Sequence, residues 1–443
     1  MTVPICLGEW ERRTPADTPQ LMGRSFDDDK RGRVAAGDLT AKGMIEVIEL
    51  RNGLSVQATS FVGRVNLGGL QITIRPKIDV DVLRTLFRYA YGLRNLTTLT
   101  VTPHALETGG FQDLLIVQLA AEVSELLARG LHRTYVPLAE ELASPRGRID
   151  LQRLAQQGGL VAAAIPCLHH PRREDTPVNR ILLAGLTLAA TLTDDLLLRT
   201  RIRRLAAILA DGVTPVALSM HTLRTAQRRL NRLTTAYAPA FALIALLLAG
   251  SGMTLEDERT STPLPGFLFD MNLFFEALLT RFLTINLVGY QVRSQVRLRD
   301  MMRYAPEANP LRRQPPTPRP DIVVEKAGQV VAMLDTKYRD LWAHALPREM
   351  LYQLAIYALS REQQREAVIL YPTTGGSLSD QIVEIREPSY GNPRARVILR
   401  AVNLLELSNA IEGSGVHGDR WRQQLAEQLA LGSHAVVSWY DSK

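Results

Sequence analysis

Residues 319–338 read RPDIVVEKAGQVVAMLDTKY, and the C-terminal half of the chain is read from this stretch. Two runs rich in Val and Ile, 321–325 and 329–338, flank Lys326-Ala327-Gly328. Such runs on either side of a glycine turn predict an antiparallel hairpin. Strand side chains alternate faces, so Asp335 and Lys337 project to one side and Thr336 to the other. Closing the hairpin about Ala327-Gly328 sets Asp321 opposite Leu334 or Asp335. Pro320 can open its strand without breaking a ladder. Two carboxylates and one ammonium then converge at one end of the hairpin.

Two carboxylates at that separation suit a hard cation, Mg²⁺ with Mn²⁺ as the alternative, and the Thr336 carbonyl is a further oxygen ligand. A bound cation polarises a phosphoryl oxygen and lowers the pKa of a bound water. A neighbouring lysine can position or deprotonate that water, or stabilise developing negative charge. A surface hairpin ending in a salt bridge would carry the same residues. Three features favour chemistry. The two aspartates fall on paired strands in matching register. Lys337 is one of only six lysines beside 46 arginines. A chain that uses Arg wherever charge alone is needed keeps Lys for a compact, deprotonatable amine. A glutamate-bearing helix precedes the hairpin, and a helix with Gln353 and Tyr357 on one face, at i and i+4, follows it.

Working outward, 267–287 reads as a long apolar helix, and an Arg- and Pro-rich loop spans 297–320. Downstream, a helix over 346–360, a strand over 367–372, further strands and a final helix complete an α/β domain with a mixed sheet. Upstream, the polar, Pro-containing segment 251–266 marks a domain boundary. Residues 111–250 have helical periodicity, predicting helices over 111–130, 177–193, 196–210, 220–235 and 238–249. The runs 44–50, 54–63 and 70–78 read as short strands punctuated by Asn52-Gly53 and Gly68-Gly69, and 81–93 as an amphipathic helix. Residues 1 to about 40 are polar and irregular, an expected arm or loosely packed extension. The sum is an α+β multidomain chain: an extension over 1–40, a β-rich unit over 41–105, a helical region over 106–255 and an α/β domain over 256–443.

Composition narrows the function classes. The 443 residues are 46% hydrophobic and 22% charged, an ordinary globular balance. Two cysteines, Cys6 and Cys167, exclude a disulfide scaffold and Cys-rich zinc sites. Cys167 beside His169-His170 has no second Cys/His cluster nearby in sequence, which favours a structural role. The most apolar run, 241–250, is far short of the ~20 residues that span a bilayer. Glu9, Arg12 and Arg13 stand where a signal peptide needs an apolar core, so a cytoplasmic protein without membrane contact is expected. The net charge of +7 is uneven. Fourteen Arg face six acids over 146–240, and seven face two over 293–319. Such blocks suit a polyanion, although solvated helix faces have the same composition. Arg312, Arg313 and Arg319 are the DNA-contact candidates, because their loop leads directly into Asp321.

The ordered set of acidic helix, P-D, D-x-K and Q-x-x-x-Y helix resembles the PD-(D/E)xK restriction-endonuclease-like nucleases. More narrowly, the chain resembles the McrC family, the nuclease subunit of McrBC-type restriction systems that attack modified DNA. The matching stretches are GGLQITIRPKID (68–79), SPRGRIDLQRL (144–154), DTPVNRILLAGL (175–186), FDMNLFFEALLTRFL (269–283), RPDIVV (319–324), LDTKY (334–338) and YQLAIYA (352–358). The resemblance implies a restriction-endonuclease-like fold for 256–443. It makes Asp321 and Asp335 metal ligands, Lys337 the catalytic lysine, Glu276 the helix acid facing the site, and Gln353 and Tyr357 a supporting shell. It also implies an AAA+ GTPase partner, McrB-like, that recognises and translocates DNA, with the part before the nuclease domain docking on that motor ring and stimulating it. The chain has no G-K dipeptide and hence no P-loop of its own. Thr336 stands where the pattern more often has a small residue, a minor departure if only its carbonyl is needed.

Three readings follow. The first is a Mg²⁺-dependent DNA endonuclease subunit of a restriction, or antiviral defence, complex. The second is a non-catalytic assembly factor that activates the motor. The third is a free-standing RecB-like repair nuclease. Intact Asp321, Asp335 and Lys337 favour the first over the second. The matches over 68–79 and 144–186 argue against the third.

Overall fold

The structure, a computed structural model, describes residues 3–27, 29–93, 111–156, 164–251, 266–299, 301–339, 341, 345–361, 365–376 and 379–432. The fold is α+β, as the sequence pattern anticipates. Its C-terminal half is built on a six-stranded sheet ordered Gln291–Ser294, Ile322–Lys326, Gln329–Thr336, Glu366–Thr373, Pro393–Asn403 and Gln381–Arg386. The two central pairings are parallel and the outer ones antiparallel, so the sheet is mixed. Its central strands are near-continuous apolar runs because both faces are covered. Ile322, Val324, Leu334, Val368 and Leu370 face a core shared with helices Met271–Asn286 and Gly415–Leu431. Met333, Ile369 and Tyr371 face Leu354, Tyr357 and Ala358 of helix Arg348–Leu359. The hairpin turns at Ala327 and Gly328, whose φ values are 50° and 80°. Both lie in the left-handed region that two-residue hairpin turns require.

The N-terminal sheets and the strand that joins them from beyond residue 265 correct three expectations. Residues 1–40 are not a loose extension. Strand Val3–Gly8 runs parallel to Leu70–Arg75 and buries Ile5 and Leu7, and helix Lys30–Ala41 buries Ala36 and Leu39 in the same core. The run 54–63 is two strands, not one. Gly53–Ala58 lies between Ile45–Leu50 and Arg12–Arg13, whereas Phe61–Leu67 joins the sheet of Val3–Gly8 and Leu70–Arg75. The chain changes sheets at Thr59, whose hydroxyl donates to the carbonyls of Gly43 and Met44. Nor is 267–287 a single helix. Gly266–Asp270 is a strand antiparallel to Phe61–Leu67, and the Asp270 carboxylate accepts from the Asn272 amide (2.8 Å) to start helix Met271–Asn286. A five-residue apolar run has no periodicity that separates strand from helix.

The segment 252–265 lies outside the described residues, but the strand after it returns to the N-terminal sheet. One continuous core runs from Val62 and Leu86 through Phe241 to Phe274 and Leu334. The division expected near 256 is therefore not a boundary in packing. A fragment ending at 255 loses the strand that covers the Phe61–Leu67 edge and uncovers Val62 and Val65. It is expected to aggregate instead of melting cooperatively, and a scanning-calorimetry peak from a soluble 1–255 fragment would contradict this.

In the middle, helices Phe111–Arg129, Pro177–Leu192, Leu196–Ala210 and Ala238–Gly250 lie where periodicity puts them, and Met220–Arg228 ends earlier than expected. The described residues between 134 and 173 depart from the helical reading: around the short helix Leu151–Gln156 they form two small sheets from Thr134–Tyr135, Leu138–Leu142, Arg148–Ile149, Ile165–His169 and Arg172–Arg173. Among the described residues no helix is long and apolar enough to cross a membrane.

Candidate active site

Ile322 pairs with Leu334, which brings Asp321 beside Asp335 at the open end of the hairpin. The Asp321 amide donates to Asp335 Oδ1 (3.2 Å). Asp321 Oδ2 accepts from the Thr336 amide (2.8 Å) and from the Thr336 hydroxyl (2.9 Å). Thr336 thus does more than the sequence suggests: its side chain fixes the Asp321 carboxylate. A small residue such as Ala would keep the amide contact and lose the hydroxyl one.

Burial is the main force pushing the Asp335 carboxyl up to about 7. The charges of Asp321 and Glu276 add to it, while the Asp321 amide and the Lys337 ammonium oppose it. Desolvation and like charge both disfavour the ionised form. Lys337 follows the last strand residue, and its amide extends the ladder by donating to the Leu370 carbonyl (2.9 Å). Its ammonium lies near enough to Asp270 to stabilise that carboxylate, which burial otherwise raises.

Glu276 reaches the site through Gln295, a residue that sequence reasoning missed. The Gln295 side-chain amide donates both to Glu276 Oε1 and to Asp321 Oδ1 (3.2 Å for the latter). Its backbone has φ 54°, an uncommon conformation for a non-glycine residue, and its amide donates to the Asp321 carbonyl (2.8 Å). Burial raises the Glu276 carboxyl, and Asp321 adds to the rise. A groove of about 570 Å³, lined by Glu276, Leu273, Thr280, Arg281 and Ser294 among others, adjoins it.

Gln353 and Tyr357 lie one helical turn apart on the other face of the sheet. The Gln353 side-chain amide donates to the Tyr357 hydroxyl (2.8 Å), which also receives a main-chain hydrogen bond from Arg319. The pair therefore holds the chain just before Asp321. Tyr357→Phe takes the acceptor from the Arg319 amide, whereas the exposed Gln353 side chain can turn to water, and a loss of about 0.5–1.5 kcal/mol in urea unfolding is expected. An unchanged midpoint would mean that the hydroxyl supports nothing.

Arg312 and Arg313 are exposed on the loop that the Leu298–Pro318 backbone hydrogen bond (2.9 Å) closes at its neck. Part of the other arginine block is already paired: Arg180 with Asp175, Arg153 with Glu141, and Arg199 with the Thr193 carbonyl. Cys167 is buried, and His169 Nε2 lies 2.7 Å from Glu140 Oε1, a structural arrangement.

Among the described residues no three His, Cys, Asp or Glu side chains gather as a cation cage. The carboxylate pair Asp321 and Asp335 would fit a cation such as Mg²⁺ that needs few protein ligands, since it keeps several waters. The unfavourable proximity of the two carboxylates is what a divalent cation would relieve.

Fold and site together define a mixed-sheet α+β chain whose paired acids and lysine stand at the end of one hairpin. The family model described as McrBC 5-methylcytosine restriction system component matches residues 56–372, and the chain belongs to that family. Among solved structures, a chain of the refined half-complex from the tetradecameric assembly of Thermococcus gammatolerans McrB AAA+ hexamers with bound McrC is similar in fold. The TM-score is 0.62 at 21% identity, over 96% of this chain and 100% of that one. A chain of the cryo-EM structure of the Thermococcus gammatolerans McrBC complex aligns with TM-score 0.44 and 22% identity, over 65% of this chain and 89% of that one. No curated protein matches the chain.

Proposed function

We propose that this chain is the Mg²⁺-dependent DNA endonuclease subunit of a McrBC-like restriction complex. In this reading it cleaves phosphodiester bonds when assembled with an AAA+ GTPase motor. The observation that carries the reading is the pairing of half-buried Asp321 with buried Asp335, braced by Thr336 and followed by Lys337 at the end of a central strand. Membership of a restriction-system family supports it, as does likeness to a chain from an assembly of McrB AAA+ hexamers with bound McrC.

Asp321, Asp335 and the Thr336 carbonyl would hold the cation. Bound there, it would supply Lewis-acid polarisation of a phosphoryl oxygen and a more acidic water. The chain's own groups do the rest. Thr336 and Gln295 orient the Asp321 carboxylate. Lys337 stands beside the pair, placed to move a proton or to offset developing negative charge. Glu276, tied to Asp321 through Gln295, completes the acidic edge. Tyr357 and Gln353 hold the strand entrance.

The loop over 297–319 is the surface for the DNA backbone. Phosphate contacts fix position without reading sequence. The chain alone is therefore expected to bind DNA weakly, without sequence preference and with steep salt dependence. Replacing Arg312 and Arg313 with Ala should shallow the slope of log K against log salt by about one to two units. Salt-titrated binding measures this, and tight sequence-selective binding by the isolated chain would contradict it. Cleavage of modified DNA by the chain, its AAA+ partner, GTP and Mg²⁺ tests the activity itself, and absence of nicking and double-strand cuts would overturn the reading.

A further inference from the structure

The residue after Lys337 is gripped by the N-terminal unit. Tyr338 is 3% exposed, and its hydroxyl donates to Glu9 Oε1 (3.1 Å). Glu9 directly follows strand Val3–Gly8, is itself 2% exposed, and also accepts from the Lys77 amide. The Tyr338 amide donates to Asn272 Oδ1 (3.2 Å), and Asn272 donates in turn to the Ser60 hydroxyl (2.6 Å). Ser60 also takes the Met271 amide on its carbonyl (3.0 Å). The Arg339 guanidinium lies 5.3 Å from the Trp10 ring centre, and Trp10 has φ 64°. Residues 9–10 of the N-terminal unit thus touch the two residues that follow the lysine, backed by the Lys77 amide on Glu9 and by Ser60 through Asn272. A buried tyrosine hydroxyl needs an acceptor, and here the acceptor is a carboxylate of the N-terminal unit, whose own burial is costly without such partners.

We propose that Glu9 and Tyr338 are positioning residues through which the N-terminal unit sets the place of Lys337. This rests on the nuclease reading above and adds its regulation. The strand ladder fixes Lys337 on its N-terminal side, through the Leu370 carbonyl, and the N-terminal unit fixes it on the other. A movement of the N-terminal unit against the six-stranded sheet is then felt first at the lysine and not at the carboxylates, which are held within their own hairpin. Misplacing a reacting group by about 1 Å can cost about 10²-fold in rate. Contact between the N-terminal unit and the motor would in this way reach the chemistry.

The test uses the full chain assembled with its AAA+ partner, GTP and modified DNA. Tyr338→Phe keeps the ring beside Phe275 and removes only the hydroxyl. It should lower turnover about tenfold at saturating DNA and Mg²⁺, with the half-saturating Mg²⁺ and the stimulated GTPase rate unchanged. Glu9→Ala should match it, and Glu9→Gln, which keeps an acceptor oxygen, should recover most of the rate. Wild-type turnover in Tyr338→Phe, alongside an inactive Lys337→Ala control, would overturn the positioning role and leave the nuclease reading standing. A Lys337→Ala variant as active as wild type would overturn both. Equal losses in Glu9→Ala and Glu9→Gln, accompanied by a lowered melting temperature, would reveal a folding defect and also overturn it.

Discussion

Asp335→Asn is expected to remove cleavage and to make the metal-free protein more stable. Folding raises the Asp335 carboxyl from 3.8 to about 7. Between those values the folded chain holds a proton that the unfolded chain has released. Stability from this group is therefore present below about pH 4 and is lost as pH rises through 7. A shift of this size corresponds to about 4 kcal/mol. Asparagine keeps an acceptor for the Asp321 amide and carries no charge to desolvate. At pH 8 in a chelator the variant should be more stable than wild type by about 2–4 kcal/mol. Its stability should vary less with pH across 4–8, although Glu9, also raised to about 7 chiefly by burial, keeps a similar dependence in both proteins. Mg²⁺ should raise the wild-type melting temperature and not that of the variant, since only binding to the folded state stabilises it. Thermal melts at pH 5.5 and pH 8, with and without Mg²⁺, check this. Cleavage by Asp335→Asn at a wild-type rate would remove Asp335 from the site.

Lys337→Ala should reduce cleavage by about 10²–10⁴-fold, the range for losing a positioned proton-transfer or charge-stabilising group. The fold should survive, because the ladder contact at this position is made by the Lys337 amide and not by its side chain. The Mg²⁺-induced rise in melting temperature should persist, because both carboxylates remain. Lys337→Arg separates two roles. Guanidinium retains the charge but does not deprotonate and is larger. If arginine restores more than a tenth of the rate in single-turnover cleavage, charge is what the lysine supplies. If Lys337→Ala itself cleaves normally, the lysine has no part in the reaction.

The hairpin was legible because everything needed to place it is local. The two-residue period and the turn at Ala327-Gly328 fix its register to within one residue, Leu334 or Asp335 opposite Asp321, and an irregularity between Val324 and Glu325 selects Asp335. What was hidden depends on distant partners. Ile5 and Leu7 alternate as strand residues should, but Pro4 and the polar surroundings mask the pattern, and the strand they pair with begins at Leu70. Phe267, Leu268 and Phe269 run straight into an apolar helix, so the boundary was invisible until Phe61–Leu67 was seen beside them. Gln295 carries no signal in the sequence: a glutamine just before an arginine-rich loop becomes informative only where its side-chain amide meets two carboxylates. In the sequence Glu9 is only a charge where a signal peptide needs an apolar core, yet it is buried against Tyr338.

The strand Gly266–Asp270 also orders the protein's birth on the ribosome. The N-terminal sheet has three of its four strands by Arg75, but the fourth is encoded nearly 200 residues later. At roughly 5–20 residues per second, the edge of Phe61–Leu67 waits about 10–40 s, beyond the time needed for the intervening helices to form. During that interval a nascent chain presents one open edge of a strand that carries buried-type residues such as Val62 and Val65. The helical region is made while the edge is open and packs beside it, so in the growing chain those helices are the first available cover.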